Sequence, residues 1–121
     1  MNSGSYQIHI NVSKNIALTV GKLGKFTIYK GYYIYTGSAM RNLEQRVARH
    51  KRKNKILKWH IDYLLASRYC KIIRIDIFPS EVREECIRNM ELIDLPNTYI
   101  PIKGFGSSDC SNCPSHLVGF F

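Results

Sequence analysis

The stretch Gly31-Tyr-Tyr-Ile-Tyr35-Thr-Gly-Ser-Ala39-Met-Arg-Asn-Leu43-Glu-Gln-Arg46-Val-Ala-Arg-His50-Lys-Arg-Lys-Asn-Lys55-Ile-Leu-Lys58 decides how the chain is read. Its first part is aromatic and β-branched, which favours a strand. Gly37 and Ser38 interrupt that strand, and Ser38 is a residue type that caps helices. Ala39, Leu43 and Val47 then recur every four residues, the spacing of one helix face. A helix over residues 39–52 follows, with Arg46 and His50 one turn apart on the same side. The predicted unit is strand, tight turn and basic helix, carrying Tyr35 to the turn. A hydroxyl, an arginine and a histidine beside a basic surface suit work on a phosphate backbone.

The chain has 121 residues, 45% hydrophobic and 22% charged, an ordinary composition for one domain with one core. Its formal net charge is +9, from 18 Lys plus Arg against 9 Asp plus Glu. The excess is local. Arg41, Arg46, Arg49, Lys51, Arg52, Lys53, Lys55 and Lys58 are opposed in their segment only by Glu44. Such clustering predicts a polyanion partner, nucleic acid before membrane, because the segment lacks a broad apolar face. The plainer alternative is a solvated helix face followed by a basic loop. No apolar run reaches the roughly 20 residues of a membrane span, and Met1-Asn2-Ser3-Gly4 does not open a signal peptide, so a cytoplasmic protein is expected. In that compartment a disulfide framework is not expected for Cys70, Cys86, Cys110 and Cys113.

Outward from the central stretch, residues 5–12 alternate Tyr6, Ile8 and Ile10 against Gln7, His9 and Asn11, a half-buried strand. Residues 16–20 form a second strand, expected to close a hairpin on the first. A third strand covers Phe26 to Tyr29. Residues 51–55 are too charged to pack and read as a loop. Ile56, Leu57, Ile61, Leu64 and Leu65 fit a second helix, which includes Trp59 and His60. Residues 70–78 form a strand, with Ile73, Ile75 and Ile77 on one face. After Pro79 a helix runs from Glu81 to about Ile93, with Val82, Cys86, Met90 and Ile93 inward. Leu117 to Phe121 returns as an edge strand. The fold class is α/β in composition, more strictly α+β: a small, mainly antiparallel sheet flanked by helices.

Two short motifs add a resemblance. Gly4-Ser5-Tyr6 opens the first strand, and Tyr35-Thr36-Gly37 closes a later one. With Asn42-Leu-Glu-Gln-Arg46 on the following helix, they resemble the two halves and the arginine of the GIY-YIG nuclease signature. Ser5 and Thr36 stand where that family usually has isoleucine or a similar residue. Trp59-His-Ile-Asp-Tyr-Leu64 and Gly104-Phe-Gly-Ser-Ser-Asp-Cys110 look like an uncharacterised, mostly archaeal branch, sometimes fused to endonuclease III. The resemblance implies a GIY-YIG-like domain over 1–121 that hydrolyses DNA phosphodiester bonds with Mg²⁺ or Mn²⁺, in repair or processing. It implies that Tyr6 and Tyr35 line the site and handle the attacking water. By the same resemblance, Arg46 stabilises the phosphoryl transition state, His50 assists proton transfer, and a carboxylate after Pro79 holds the metal. Glu85 is the favoured carboxylate and Glu84 the alternative. The basic residues Arg41, Arg49, Lys51, Arg52, Lys53, Lys55 and Lys58 would track the nucleic acid, DNA before RNA. The alternative function is a catalytically inactive nucleic-acid-binding module, with zinc as a candidate stabiliser.

The tail offers a separate chemistry. Cys110-Ser-Asn-Cys113-Pro-Ser-His116 places a C-x-x-C pair near an imidazole, a zinc half-site that Cys86 or Asp109 would complete. The competing readings are inert cysteines in a loop and a disulfide joining Cys110 and Cys113. His116 has a third possible place, beside the catalytic residues. Gly104, Gly106, Ser107 and Ser108 have the composition of a phosphate nest, and equally of a connecting loop.

Overall fold

The structure, a computed structural model, describes residues 1–107 and 112–121. Seven strands and three helices follow in order: β1 Gly4–Val12, β2 Ile16–Val20, β3 Gly24–Ile28, β4 Gly31–Ala39, α1 Leu43–Lys51, α2 His60–Leu65, β5 Cys70–Pro79, α3 Glu85–Ile93, β6 Thr98–Tyr99 and β7 Leu117–Phe120. Five strands make one antiparallel sheet in the order β5-β1-β4-β7-β6, and β2 pairs with β3 in a small second sheet. This is the expected α+β class.

The register of the two central strands positions the site. Tyr6 of β1 lies opposite Gly37 of β4, and Ile8 opposite Tyr35. Alternation puts Tyr6, Ile8, Ile10 and Val12 on one face with Tyr33 and Tyr35. These pack with Leu43 and Val47 of α1 and with Ile61, Leu64 and Leu65 of α2 into the core. Ser5 and Thr36, the residues that depart from the signature, are fully buried. They share the opposite face, so neither departure disturbs the tyrosines. Gly37 leaves room for Tyr6: a Cβ there would stand 2.6 Å from the Tyr6 hydroxyl. Gly106 does the same for Tyr35, with a Cβ position 2.9 Å from the Tyr35 ring at a φ of 67°.

Several local expectations are corrected. β1 has β4 on one side and β5 on the other, so β2 pairs with β3 instead of closing a hairpin on β1. A register shift between His9 and Ile10 skips Ile73. Ile72 and Ile75 therefore pack on the core, and Ile73 is half exposed. β7 is an interior strand because β6 covers its outer side. Ala39 belongs to β4, and Ser38 caps nothing. Asn2 does that work instead: its backbone carbonyl accepts from the Leu43 N–H at 3.2 Å and its side-chain Oδ1 from the Glu44 N–H at 2.8 Å. Ile56 and Leu57 are exposed and precede α2. Val82 is exposed and precedes α3, which starts only at Glu85.

The basic segment is the largest correction. Lys55 has a buried side chain whose ammonium donates to the carbonyls of Arg49 and His50 at the end of α1, at 3.2 and 3.0 Å. Lys53 donates to the carbonyls of Leu65, Ser67 and Cys70 at 2.8 to 2.9 Å. Cations are favoured at helix C-termini, where carbonyls lack intrahelical partners. Lys53 and Lys55 are therefore structural caps, not free contacts for a polyanion. Arg49 is likewise committed, making two hydrogen bonds to the buried Asp62 carboxylate at 2.9 and 3.0 Å.

Candidate active site

One cleft of about 140 Å³ gathers most of the chemistry. β1 supplies Tyr6, β4 supplies Tyr35 and Ser38, α1 supplies Arg46 and His50, and α3 supplies Glu85 from its first residue. Trp59, Arg83, Gly106 and His116 complete its wall. The sequence expectation for Tyr6, Tyr35, Arg46, His50 and Glu85 thus coincides with one place in the fold. Glu84 is not there. Its carboxylate accepts from the Ser80 hydroxyl at 3.0 Å and from Arg88 at 3.1 Å.

The central contact is between the Tyr6 hydroxyl and His50 Nε2, at 2.8 Å. Burial raises the Tyr6 phenol well above its ordinary range, with Arg46 opposing and Glu85 adding to the shift. Tyr35 is raised in the same way, chiefly by burial. Both stay phenols at neutral pH. Burial lowers His50 to about 4, with Lys55 adding and Asp62 opposing, so its imidazole is neutral. In the tautomer whose Nε2 accepts from the Tyr6 hydroxyl, the buried Nδ1 carries the proton; that Nδ1 has no partner among the described residues.

That burial makes a stability prediction. The folded state resists protonating His50, whereas the unfolded chain accepts a proton near 6.5. Stability is fully present above that value and is lost as pH falls toward about 4, by about 3 kcal/mol over the interval. Urea unfolding midpoints across this range should drop in the wild type and stay flatter in His50→Gln. Equal slopes would mean that another group carries the acid sensitivity.

Arg46 donates to the Ser38 carbonyl at 3.0 Å, and its guanidinium lies over the Trp59 ring at 4.7 Å. Those contacts fix its direction without neutralising it. Glu85 is the carboxylate of the cleft, with a side chain 21% exposed and a long 3.4 Å contact to Arg83. His60 lies outside this constellation. Its Nδ1 accepts the Gly106 N–H at 2.8 Å, holding the loop that runs under Tyr35. The sequence reading missed Arg83, which precedes α3 and reaches Ser38 Oγ and Glu85 at 3.4 Å. No pattern marks it, since its place depends on α3 packing near β4.

Residues 5–121 match the family model of the domain of unknown function DUF123. The chain belongs to the DUF123 family. No curated protein and no solved structure matches it.

The zinc expectation for this DUF123 domain has a partial counterpart. Ligand atoms of Cys86, Cys113 and His116 lie within 4.8 Å of one another. Cys86 is disulfide-bonded, contrary to the expectation of no disulfide, so its sulfur would have to be reduced before binding a metal. Cys113 is a free, buried thiol, so the alternative of a disulfide joining it to Cys110 is not what forms; burial chiefly raises its pKa above the ordinary range. Cys110 and Asp109 lie outside the described residues. His116 belongs to two environments. It lines the cleft of Tyr6 and Arg46, and its Nε2 is 3.7 Å from Cys86 Sγ. Burial lowers its pKa, against the pull of Glu85. No helix among the described residues is long and apolar enough to cross a membrane.

Proposed function

We propose that this DUF123 domain is a GIY-YIG-type endonuclease that hydrolyses DNA phosphodiester bonds with Mg²⁺ or Mn²⁺, in repair or processing. The observation that carries the reading is the Tyr6–His50 hydrogen bond in a cleft that also holds Arg46 and Glu85.

A phosphodiester placed between Arg46 and Glu85 is attacked by water on the side of Tyr6. Tyr6 is too weak an acid to work as a free phenolate. It takes the water's proton only while passing its own to His50 Nε2. His50 is neutral and receives it. The water oxygen bonds to phosphorus, the bond to the leaving oxygen breaks, and that oxygen takes a proton from solvent. Arg46 offers two parallel N–H groups to the phosphoryl oxygens as charge develops on them. Tyr35 closes the wall beside His50, their ring centroids 6.5 Å apart.

The donor set fits a hard divalent cation. Glu85 is the one carboxylate lining the cleft among the described residues, and it is only weakly paired. Mg²⁺ is commonly held by one or two carboxylates, with substrate phosphate and water filling its other positions. When bound, such an ion polarises the phosphoryl oxygen and stabilises the leaving oxygen. For zinc the fit is poorer, since structural zinc takes four ligands and Cys86 is engaged.

Cleavage of labelled single-stranded, duplex, nicked, flap and branched DNAs, with Mg²⁺, Mn²⁺ or EDTA, tests the proposal. Expected is metal-dependent cutting that Glu85→Gln abolishes while DNA binding persists. Salt-sensitive binding without cutting of any substrate would overturn it in favour of a non-catalytic nucleic-acid-binding module.

A further inference from the structure

A second cleft, of about 340 Å³, adjoins the first and shares Arg46 and Trp59 with it. Its wall is otherwise made by Arg41, Gln45, Arg49 and Arg52, with Asn42 at its edge. Among the described residues no carboxylate lines it. Asp62 balances the charge of Arg49. Among the described residues, the side chains of Arg41 and Arg52 have neither a hydrogen bond nor an ion pair. Three uncompensated guanidinium groups therefore surround one small depression. Like charges at this spacing repel, and the arrangement becomes favourable only when an anion enters.

The ring of Trp59 narrows the choice of anion. Arg46 and Arg49 lie over it at 4.7 and 4.4 Å, and Lys58 at 5.0 Å. With cations already against the ring, it serves to orient guanidinium forks and not to stack a base. The ligand is then read by charge. An internal phosphodiester brings one negative charge, whereas a phosphate monoester brings about 1.5 to 2 at neutral pH and three acceptor oxygens. The monoester matches three guanidinium charges with no carboxylate partner better.

We propose that this arginine cleft receives the terminal phosphate monoester of a nucleic-acid strand. Because the two clefts share a wall, the reacting phosphodiester lies a short, fixed step from that strand end. This second statement rests on the nuclease reading. The first does not.

Trp59 is the sole tryptophan of the chain, so its fluorescence reports directly on the cleft. The full chain is titrated without divalent metal with pTpT, TpTp, TpT and inorganic phosphate at constant ionic strength. Expected is a Trp59 response to pTpT or TpTp at about tenfold lower concentration than to TpT, the size of one charge-assisted hydrogen bond. The arm that responds assigns the 5′ or the 3′ end. Arg41→Gln and Arg52→Gln, both at exposed positions, should each erase most of that preference. Equal responses to TpT and the monoesters, or responses indifferent to both substitutions, overturn the proposal. Inorganic phosphate binding as tightly as pTpT also overturns it, leaving a small-anion site. No cleavage is read, so failure here is distinct from failure of the nuclease.

Discussion

Asp62→Ala is expected to cost about 3 to 5 kcal/mol, the penalty for removing one partner of a buried ion pair. That is a large share of the roughly 5 to 15 kcal/mol that holds a domain of this kind together. The Asp62 side chain is wholly buried. It accepts two hydrogen bonds from Arg49, and its Oδ2 also accepts from the backbone N–H groups of Lys58 and Trp59 at 2.9 Å. The Lys55 ammonium is 3.9 Å away. Burial opposes the charged form, but the Arg49 and backbone hydrogen bonds outweigh it and hold the carboxyl below the usual range. Removing it leaves the amides of Lys58 and Trp59 without their acceptor, and leaves the Arg49 guanidinium with the Ile56 carbonyl at 2.9 Å as its acceptor.

The stabilisation from Asp62 is present above its unfolded value of roughly 3.9 and is lost as pH falls through its lower folded value. Its window lies below that of His50, so stability should fall over two successive pH ranges. Urea midpoints should fall steeply in Asp62→Ala and less in Asp62→Asn, which keeps an acceptor for the amides. If both variants lie within about 0.5 kcal/mol of the wild type, as ordinary surface substitutions do, Asp62 does not organise this region.

Arg46→Ala is expected to lower turnover by about 10² to 10³, the loss seen when one preorganised donor to a transition-state oxygen is removed. DNA affinity should fall much less, because many charges contribute to binding. The effect should appear in kcat more than in KM, since the developing charge exists only in the transition state. Arg46→Lys should recover little. Lysine keeps the charge but loses the fork that reaches the Ser38 carbonyl and lies over Trp59. The readout is single-turnover cleavage of the best substrate from the DNA panel, beside anisotropy binding in EDTA. Equal losses in affinity and rate would make Arg46 a binding residue and move the transition-state role to Arg83. Arg83 reaches the same Ser38 and Glu85 from the other wall.

Much of the candidate site is legible from sequence because it is built on two regular elements. Strand alternation places Tyr6 and Tyr35, and helix periodicity places Arg46 beside His50. Neither needs information from far along the chain. Glu85 over Glu84 is different. Both are near the start of α3, and one is in the cleft while the other pairs with Ser80 and Arg88 only because of how α3 packs. Sequence alone does not separate the two; the packing puts Glu85 in the cleft and Glu84 outside it.

By itself, the sequence determined the α+β class, the strand-turn-helix unit from Gly31 to Lys51 and the basic character of the surface. Those follow from spacing and composition, which are local properties. Only the tertiary structure decided which basic residues remain free. Lys53 and Lys55 read as surface charge, yet they cap the carbonyls of α1, α2 and the start of β5. Arg49 reads the same way, yet it is held by Asp62, thirteen residues on. Arg41 and Arg52 look no different in the chain, and among the described residues they stay unpaired. Whether a cation is a strut or a binding group depends on which carbonyls and carboxylates the fold brings within about 3 Å, the reach of a hydrogen bond.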